Sequence, residues 1–252
     1  MKRLNKAFAS LGNALPAMMV ACLVVCLAAG CRPHKAEDGR DTTARRVFAP
    51  RDKHAPYDGI DISSHQGMID WARVAQDKNI RFVFIKATEG ATYESPHYGY
   101  NVETARKLGL AVGSYHYFTT TANVQSQVDN FTRLAPRSSQ DLVPMIDVET
   151  RGDWSRRQLV DSIARMAQLL EKHYGRRPII YSTTTFYNDN LAPAFNDYQL
   201  YLGRYSENEP AVDWNGRYAI WQFSQCGVVP GIDAYVDLCR FADDTWLNDI
   251  AL

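Results

Sequence analysis

The chain has 252 residues, 46% of them apolar, enough to bury a sizeable core, so disorder is not the default reading. Its 28 Lys and Arg are balanced by 28 Asp and Glu, which leaves no basic field to hold a polyanion by counterion release; nucleic acid is not an expected partner. Aromatic residues reach 12%, with 14 Tyr and 5 Trp, a composition that suits a packed interior and also the apolar faces of sugar rings.

In chain order, Lys2, Arg3 and Lys6 form a positive start, and an uncharged apolar stretch follows from Leu15 to Gly30. That stretch is shorter than the ~20 residues a helix needs to cross a bilayer, so it reads as a cleaved export signal. It ends in Leu27-Ala28-Ala29-Gly30-Cys31, which resembles the lipobox of bacterial lipoproteins. The resemblance implies that residues 1–30 are a lipoprotein signal peptide and that Cys31 is lipidated. It also implies a chain anchored to a membrane of the bacterial cell envelope, facing the periplasm or the exterior. Residues 31–56 are rich in charge, Pro and Thr and read as a flexible tether, with a span of roughly 25–30 Å. Cys22 and Cys26 leave with the signal. Cys226 and Cys239 remain in an oxidising compartment, near the ends of the last two expected strands, and are expected to form a disulfide, with two buried free thiols as the alternative.

The folded domain is expected over residues 57–252. Short β-branched runs read as strands at Gly59–Ser63, Phe82–Ala87, Ala111–Tyr117, Val143–Glu149, Pro178–Ser182, Leu200–Arg204, Ala219–Phe223 and Tyr235–Leu238. Helices fit Ile69–Lys78, His97–Leu108, Ala122–Leu134 and Ser155–Tyr174; the last has Leu159, Ile163, Met166, Leu169 and Leu170 on one face. Strands alternating with helices predict an α/β fold, a TIM-like, irregular (β/α)-barrel of eight strands with a helix-poor second half. A monomer is expected.

Barrel enzymes place their sites at the C-terminal strand ends. Polar residues stand there in this chain: Asp61, Glu89, His116, Asp147 with Glu149, Tyr181, Arg204, Gln222 and Asp237. Within Met145-Ile146-Asp147-Val148-Glu149, residues i and i+2 of a strand share a face, about 6.6 Å apart along the backbone. Two carboxyls forced into one cleft cannot ionise equally, and the one whose pKa rises becomes a proton donor near neutral pH. Taken alone, Asp-x-Glu at a strand end is also compatible with a surface ion pair. Tyr115, His116, Tyr117, Trp221 and Arg204 are candidate substrate contacts with structural alternatives. His116 also fits a hydrogen-bonded core histidine, Trp221 a barrel plug, Arg204 a carboxylate-orienting role, and Lys86 a buried partner for Glu89. The six histidines are scattered without metal-ligand spacing and no phosphate-cradling glycine loop is present, so neither metal nor cofactor is expected.

Gly59-Ile60-Asp61-Ile62-Ser63-Ser64-His65-Gln66-Gly67 is followed by Asp70-Trp71, Lys86-Ala87-Thr88-Glu89-Gly90 and Gly113-Ser114-Tyr115-His116-Tyr117-Phe118. Pro144 to Glu149, Trp221-Gln222-Phe223-Ser224 and Val236-Asp237-Leu238 complete the series. In this order, over roughly residues 57–245, it resembles the family-25 lysozymes of the glycoside hydrolases. The resemblance implies hydrolysis of the β-1,4 bond between N-acetylmuramic acid and N-acetylglucosamine in peptidoglycan glycan strands. It implies Glu149 as general acid and places Asp147, Asp61 and Asp237 at the other acidic positions. The family often has Asn two residues after the last Asp, where this chain has Cys239; Asp233 is a nearby competitor for the role of Asp237.

Three mechanisms stay open. A carboxyl separation of ~5–5.5 Å suits a covalent nucleophile and ~6.5–9.5 Å leaves room for water; in the third route, the favoured one, Asp147 orients the substrate's own acetamido oxygen as nucleophile. A chitinase-like enzyme of family 18 carries a longer acidic run, Asp-x-x-Asp-x-Asp-x-Glu; here Val143 and Met145 precede Asp147, and Met145 stands where that run needs Asp. The remaining rivals are an endo-N-acetylglucosaminidase and a wall-glycan-binding lipoprotein that has lost catalysis. Against the latter, all four acidic positions are filled.

Overall fold

The computed structural model of the chain describes residues 48–252. The expected signal segment, Cys31 and the first part of the tether lie outside the described residues.

Among the described residues nine strands form one sheet: β1 (Gly59–Ile62), β2 (Phe82–Glu89), β3 (Tyr93–Glu94), β4 (Ala111–Tyr117), β5 (Met145–Asp147), β6 (Ile179–Thr183), β7 (Leu200–Gly203), β8 (Ile220–Gly227) and β9 (Val236–Phe241). The order β1-β9-β8-β7-β6-β5-β4-β2 closes through β1–β2 pairing into an eight-strand barrel, and β3 is a short hairpin partner at the end of β2. All eight expected strands are present. β9 is the departure from a fully parallel barrel, since it runs antiparallel to both β8 and β1. The chain between Gly227 and Val236 is too short for the crossover of about a dozen residues that a parallel neighbour needs, so it returns as a hairpin. The N-terminal end of β9 therefore lies on the rim where the other strands have their C-terminal ends.

Strand alternation divides the core in two. Phe82, Phe84, Met145, Ile179, Tyr201, Ile220 and Phe241 form one cluster, which fills the barrel. Val83, Ile85, Val112, Ile146, Ile180 and Leu202 belong to the other, packed under the helices. Glycines make room for the large rings: a Cβ on Gly113 would lie 2.3 Å from the Phe84 ring, and one on Gly59 2.5 Å from Phe82.

The helices are α1 (Trp71–Val74), α2 (Tyr98–Lys107), α3 (Val124–Leu134), α4 (Arg156–Tyr174), α5 (Thr184–Asn190) and α6 (Leu247–Ile250). In α4 the Ser155 side chain accepts from the Gln158 N–H while Gln158 reaches back to the Ser155 N–H, and Gly175 ends the helix at φ +78°. Leu159, Ile163, Met166, Ala167, Leu170 and Tyr174 form its buried face. The expected helix Ile69–Lys78 contracts to the single turn α1. α5 and α6 add to an otherwise helix-poor second half.

The expected tether ends earlier than its composition suggested. Arg51 pairs with buried Asp58 at 2.8 Å and donates to the Ala242 carbonyl at 2.9 Å; Trp246 Nε1 donates to the Ala49 carbonyl, and Lys53 to that of Asp243. Residues 48–56 are therefore a strap across the barrel base, held by hydrogen bonds that a hydrophobicity argument does not register.

Candidate active site

Asp147 ends β5, and Glu149 follows it two residues on, over the same barrel mouth. Asp61 in β1 is the register partner of Asp237, the second residue of β9. Antiparallel β9 thus delivers Asp237 to the rim from its strand start, where an all-parallel barrel would use a strand end. The four carboxyls line one cleft of about 160 Å³ together with Tyr115, Met145, Tyr181, Tyr205, Gln222 and Gln225. Asp233 is exposed in the hairpin loop and does not line it, whereas Asp237 does.

The electrostatics follow from depth. Asp147 is 5% exposed; burial, then the charge of Glu149, pushes its carboxyl well above the ordinary range. Its Oδ1 is buried without a hydrogen-bond partner. Glu149 is half-buried and also raised by burial, opposed by its hydrogen bond with Asp147 and by the charge of Lys86. Two carboxyls so close resist ionising together, and the deeper of the two, Asp147, is the harder one to charge. Burial raises Asp61 too, but three donors oppose that: Tyr201 Oη at 2.7 Å, Gln222 Nε2 at 2.9 Å and Cys239 Sγ at 3.3 Å, all to Oδ2. Burial, then the charge of Asp61, pushes Asp237 up to about 8.

Of the sequence-derived contacts, Tyr115, Tyr181 and Gln222 line the cleft. Tyr117 stands beside it under Lys86, whose Nζ lies 4.7 Å above the Tyr117 ring and 2.7 Å from Glu89. Three candidates are misplaced by the pleat, which sends neighbours to opposite faces. His116, between Tyr115 and Tyr117, is fully buried behind the sheet, bonded to Thr88 Oγ1 at 2.7 Å and Gln127 Oε1 at 3.1 Å; burial lowers its pKa to about 4. Trp221, next to inward Gln222, donates to the Arg204 carbonyl at 2.8 Å and packs edge-on against Phe223. Arg204 turns its Nε to Ser206 and does not line the carboxylate cleft.

The expected disulfide is absent: Cys226 is an exposed thiol and Cys239 a buried one. In the β8–β9 ladder Cys239 faces Gln222, while Gly227, one residue after Cys226, faces Val236. The two cysteines are thus several residues out of register, well beyond the ~4.4–6.8 Å Cα separation of a bridge. Cys239 instead points inward to Asp61 and Tyr201. Sequence reasoning also missed Tyr201, Tyr205 and Gln225. The β7 run Leu200-Tyr201-Leu202 alternates, and an inward Tyr in a ring of carboxylates was the available signal.

Comparison with known proteins agrees with this geometry. The family model described as Glycosyl hydrolases family 25 matches residues 60–232. The uncharacterized protein YegX of Escherichia coli (strain K12) is 39% identical over 187 residues, spanning 73% of this chain and 68% of YegX. The Autolytic lysozyme of Clostridium acetobutylicum is 33% identical over 185 residues, 73% of this chain and 56% of that protein. Among solved structures, a family 25 glycosyl hydrolase from Bacillus anthracis superposes with TM-score 0.69 at 29% identity, covering 77% of this chain and 93% of the other. A family GH25 lysozyme from Aspergillus fumigatus gives 0.64 at 28%, covering 73% and 92%. With four carboxyls gathered at the mouth of an eight-strand barrel and a family match across most of that barrel, the chain belongs to glycosyl hydrolase family 25 and is a glycoside hydrolase.

Proposed function

We propose that the chain is a muramidase, which hydrolyses the β-1,4 bond between N-acetylmuramic acid and N-acetylglucosamine of peptidoglycan. The observation that carries this reading is the Asp147–Glu149 pair with its unpartnered Asp147 Oδ1. An acetamido N–H placed against that oxygen favours the Asp147 anion, and its proton passes to Glu149. The acetamido carbonyl oxygen then attacks the anomeric carbon as the glycosidic C–O bond breaks, and Glu149 gives its proton to the leaving oxygen. Water, deprotonated by Glu149, opens the cyclic intermediate. Relatives named Autolytic lysozyme, Lysozyme M1 and N,O-diacetylmuramidase support the substrate class.

Mass analysis of fragments from purified peptidoglycan tests the proposal. New reducing muramic acid is expected; new reducing glucosamine identifies a glucosaminidase, and no cleavage identifies a binding protein. Glu149→Gln keeps the shape but cannot supply the proton, so turnover should fall by about 10²–10⁴ with the fold intact. Unchanged turnover in that variant would refute Glu149 as the acid.

The lipobox-like segment supports a second part of the reading, that Cys31 is acylated and tethers the enzyme to a membrane of the cell envelope. Cys31→Ser should move the protein from the membrane fraction to a soluble or unprocessed form. Equal membrane association of both forms would reject the anchor.

A further inference from the structure

Asp61 and Asp237 are register partners across the β1–β9 ladder and line the same cleft, and two acids so placed resist ionising together. The surroundings of the two differ. Oδ2 of Asp61 lies within reach of Tyr201 Oη at 2.7 Å, Gln222 Nε2 at 2.9 Å and Cys239 Sγ at 3.3 Å. The Gln222 amide cannot turn over without loss, because its Oε1 accepts from Tyr181 Oη and from Tyr205 Oη, both at 2.7 Å. Its N–H is thereby aimed at Asp61. Among the described residues no hydroxyl, amide or thiol converges on Asp237 in this way, and Asp237 is the more exposed of the two, on the cleft wall.

We infer that Tyr201, Gln222 and Cys239 are positioning residues that hold the negative charge of this pair on Asp61, so that Asp237 meets the sugar as a neutral acid. Donors converging on one oxygen stabilise an anion there and leave the proton to its partner, as with any carboxylate that collects several hydrogen bonds. The cleft then carries two protons among four carboxyls, one in each pair. Its charge stays low enough for Glu149 to ionise and reprotonate within the catalytic cycle, and Asp237 presents a polar oxygen to the substrate without adding a third charge.

The groups facing Asp237 bear this out from every side. Asp61 on β1 and Glu149 beyond β5 are the nearby charges that disfavour its ionisation, and burial holds Asp147, beside Glu149, toward its neutral form. Tyr115 on β4, Tyr181 on β6, Tyr201 on β7, Tyr205 after it and Cys239 on β9 are all raised by burial and stay neutral. Lys86 on β2 is the neighbouring cation, and its charge acts on Asp147 and Glu149. Burial and the Asp61 charge together carry Asp237 to about 8, in the direction the geometry demands.

The test is a carboxyl titration by NMR on the whole protein labelled with ¹³C at aspartate side chains, with the two resonances assigned by their loss in Asp237→Asn and Asp61→Asn. Asp237 is expected to be protonated at pH 6 and to titrate near pH 8, while Asp61 stays at the ionised shift over the same range. Tyr201→Phe removes one donor from Asp61, so part of the proton moves there. The Asp237 resonance at pH 6 should shift toward its ionised value, while the pair still loses its second proton near pH 8 or above. An Asp237 already ionised at pH 6 in the wild type overturns the inference, as does a Tyr201→Phe protein whose two resonances match the wild type. The inference deepens the glycosidase reading but the titration does not depend on it, because protonation is read in the free protein; a wrong substrate assignment would leave the NMR result standing.

Discussion

The imidazole of His116 is fully buried, and burial lowers its pKa from 6.5 to about 4. The folded state therefore keeps it neutral where the unfolded chain takes up a proton. Its contribution to stability is fully present above about pH 6.5 and is lost as pH falls toward 4, by about 3 kcal/mol for a shift of this size. The raised carboxyls of the cleft act with the opposite sign. Their folded state binds protons more tightly than the unfolded chain, so stability is lost as pH rises above the ordinary carboxylate range. Comparing wild type with His116→Asn cancels the carboxyl contributions. The variant loses the core hydrogen bonds and is less stable at pH 7, but its deficit should shrink by about 2–3 kcal/mol between pH 7 and pH 4.5 in urea unfolding series. A deficit independent of pH would show that the buried imidazole does not titrate on unfolding.

At the scale of elements, what was legible in the sequence is what short periodicities encode. The strand bearing Met145-Ile146-Asp147-Val148-Glu149 could be read with both acids on one face because the pleat has period two, and α4 because its apolar residues recur with helical period. The same pleat, applied to Tyr115-His116-Tyr117 and to Trp221-Gln222, would have removed His116 and Trp221 from the site, since each sits between or beside inward neighbours. The direction of β9 was not legible residue by residue; it depends on the brevity of the segment after Gly227, a constraint on connection rather than on composition. That direction decided two outcomes at once, bringing Asp237 to the mouth and setting Cys239 opposite Gln222, out of reach of Cys226. α5, with the sequence Thr-Thr-Phe-Tyr-Asn-Asp-Asn, has weak helix formers and no apolar stripe. It forms because Thr183 caps it locally and Tyr187 buries its ring in the core, the latter a tertiary effect.

At the scale of the whole barrel, the mouth and the base have opposite electrostatic designs. The mouth buries Asp61 and Asp147 and half-buries Glu149 and Asp237 within one cleft, whereas the base encloses the Arg51–Asp58 ion pair. Arg51 and Asp58 leave only 7% and 3% of their side chains exposed, and Asp58 is where the barrel closes. Its Oδ2 accepts the Phe241 N–H of β9, its own N–H donates to the Cys239 carbonyl, and its carbonyl accepts the Arg81 N–H just before β2. Removing the guanidinium would strand a buried carboxylate at the junction of β1, β2 and β9, a loss of about 3–5 kcal/mol for such pairs. Arg51→Ala should therefore lower the urea midpoint strongly, although Arg51 lies in a segment whose composition reads as linker. Because the cleft lies at the other end of the barrel, turnover per folded molecule, measured well below the unfolding transition, should stay close to wild type. A loss under about 1 kcal/mol, the range of an exposed pair, would show that the strap is not a working part of the fold.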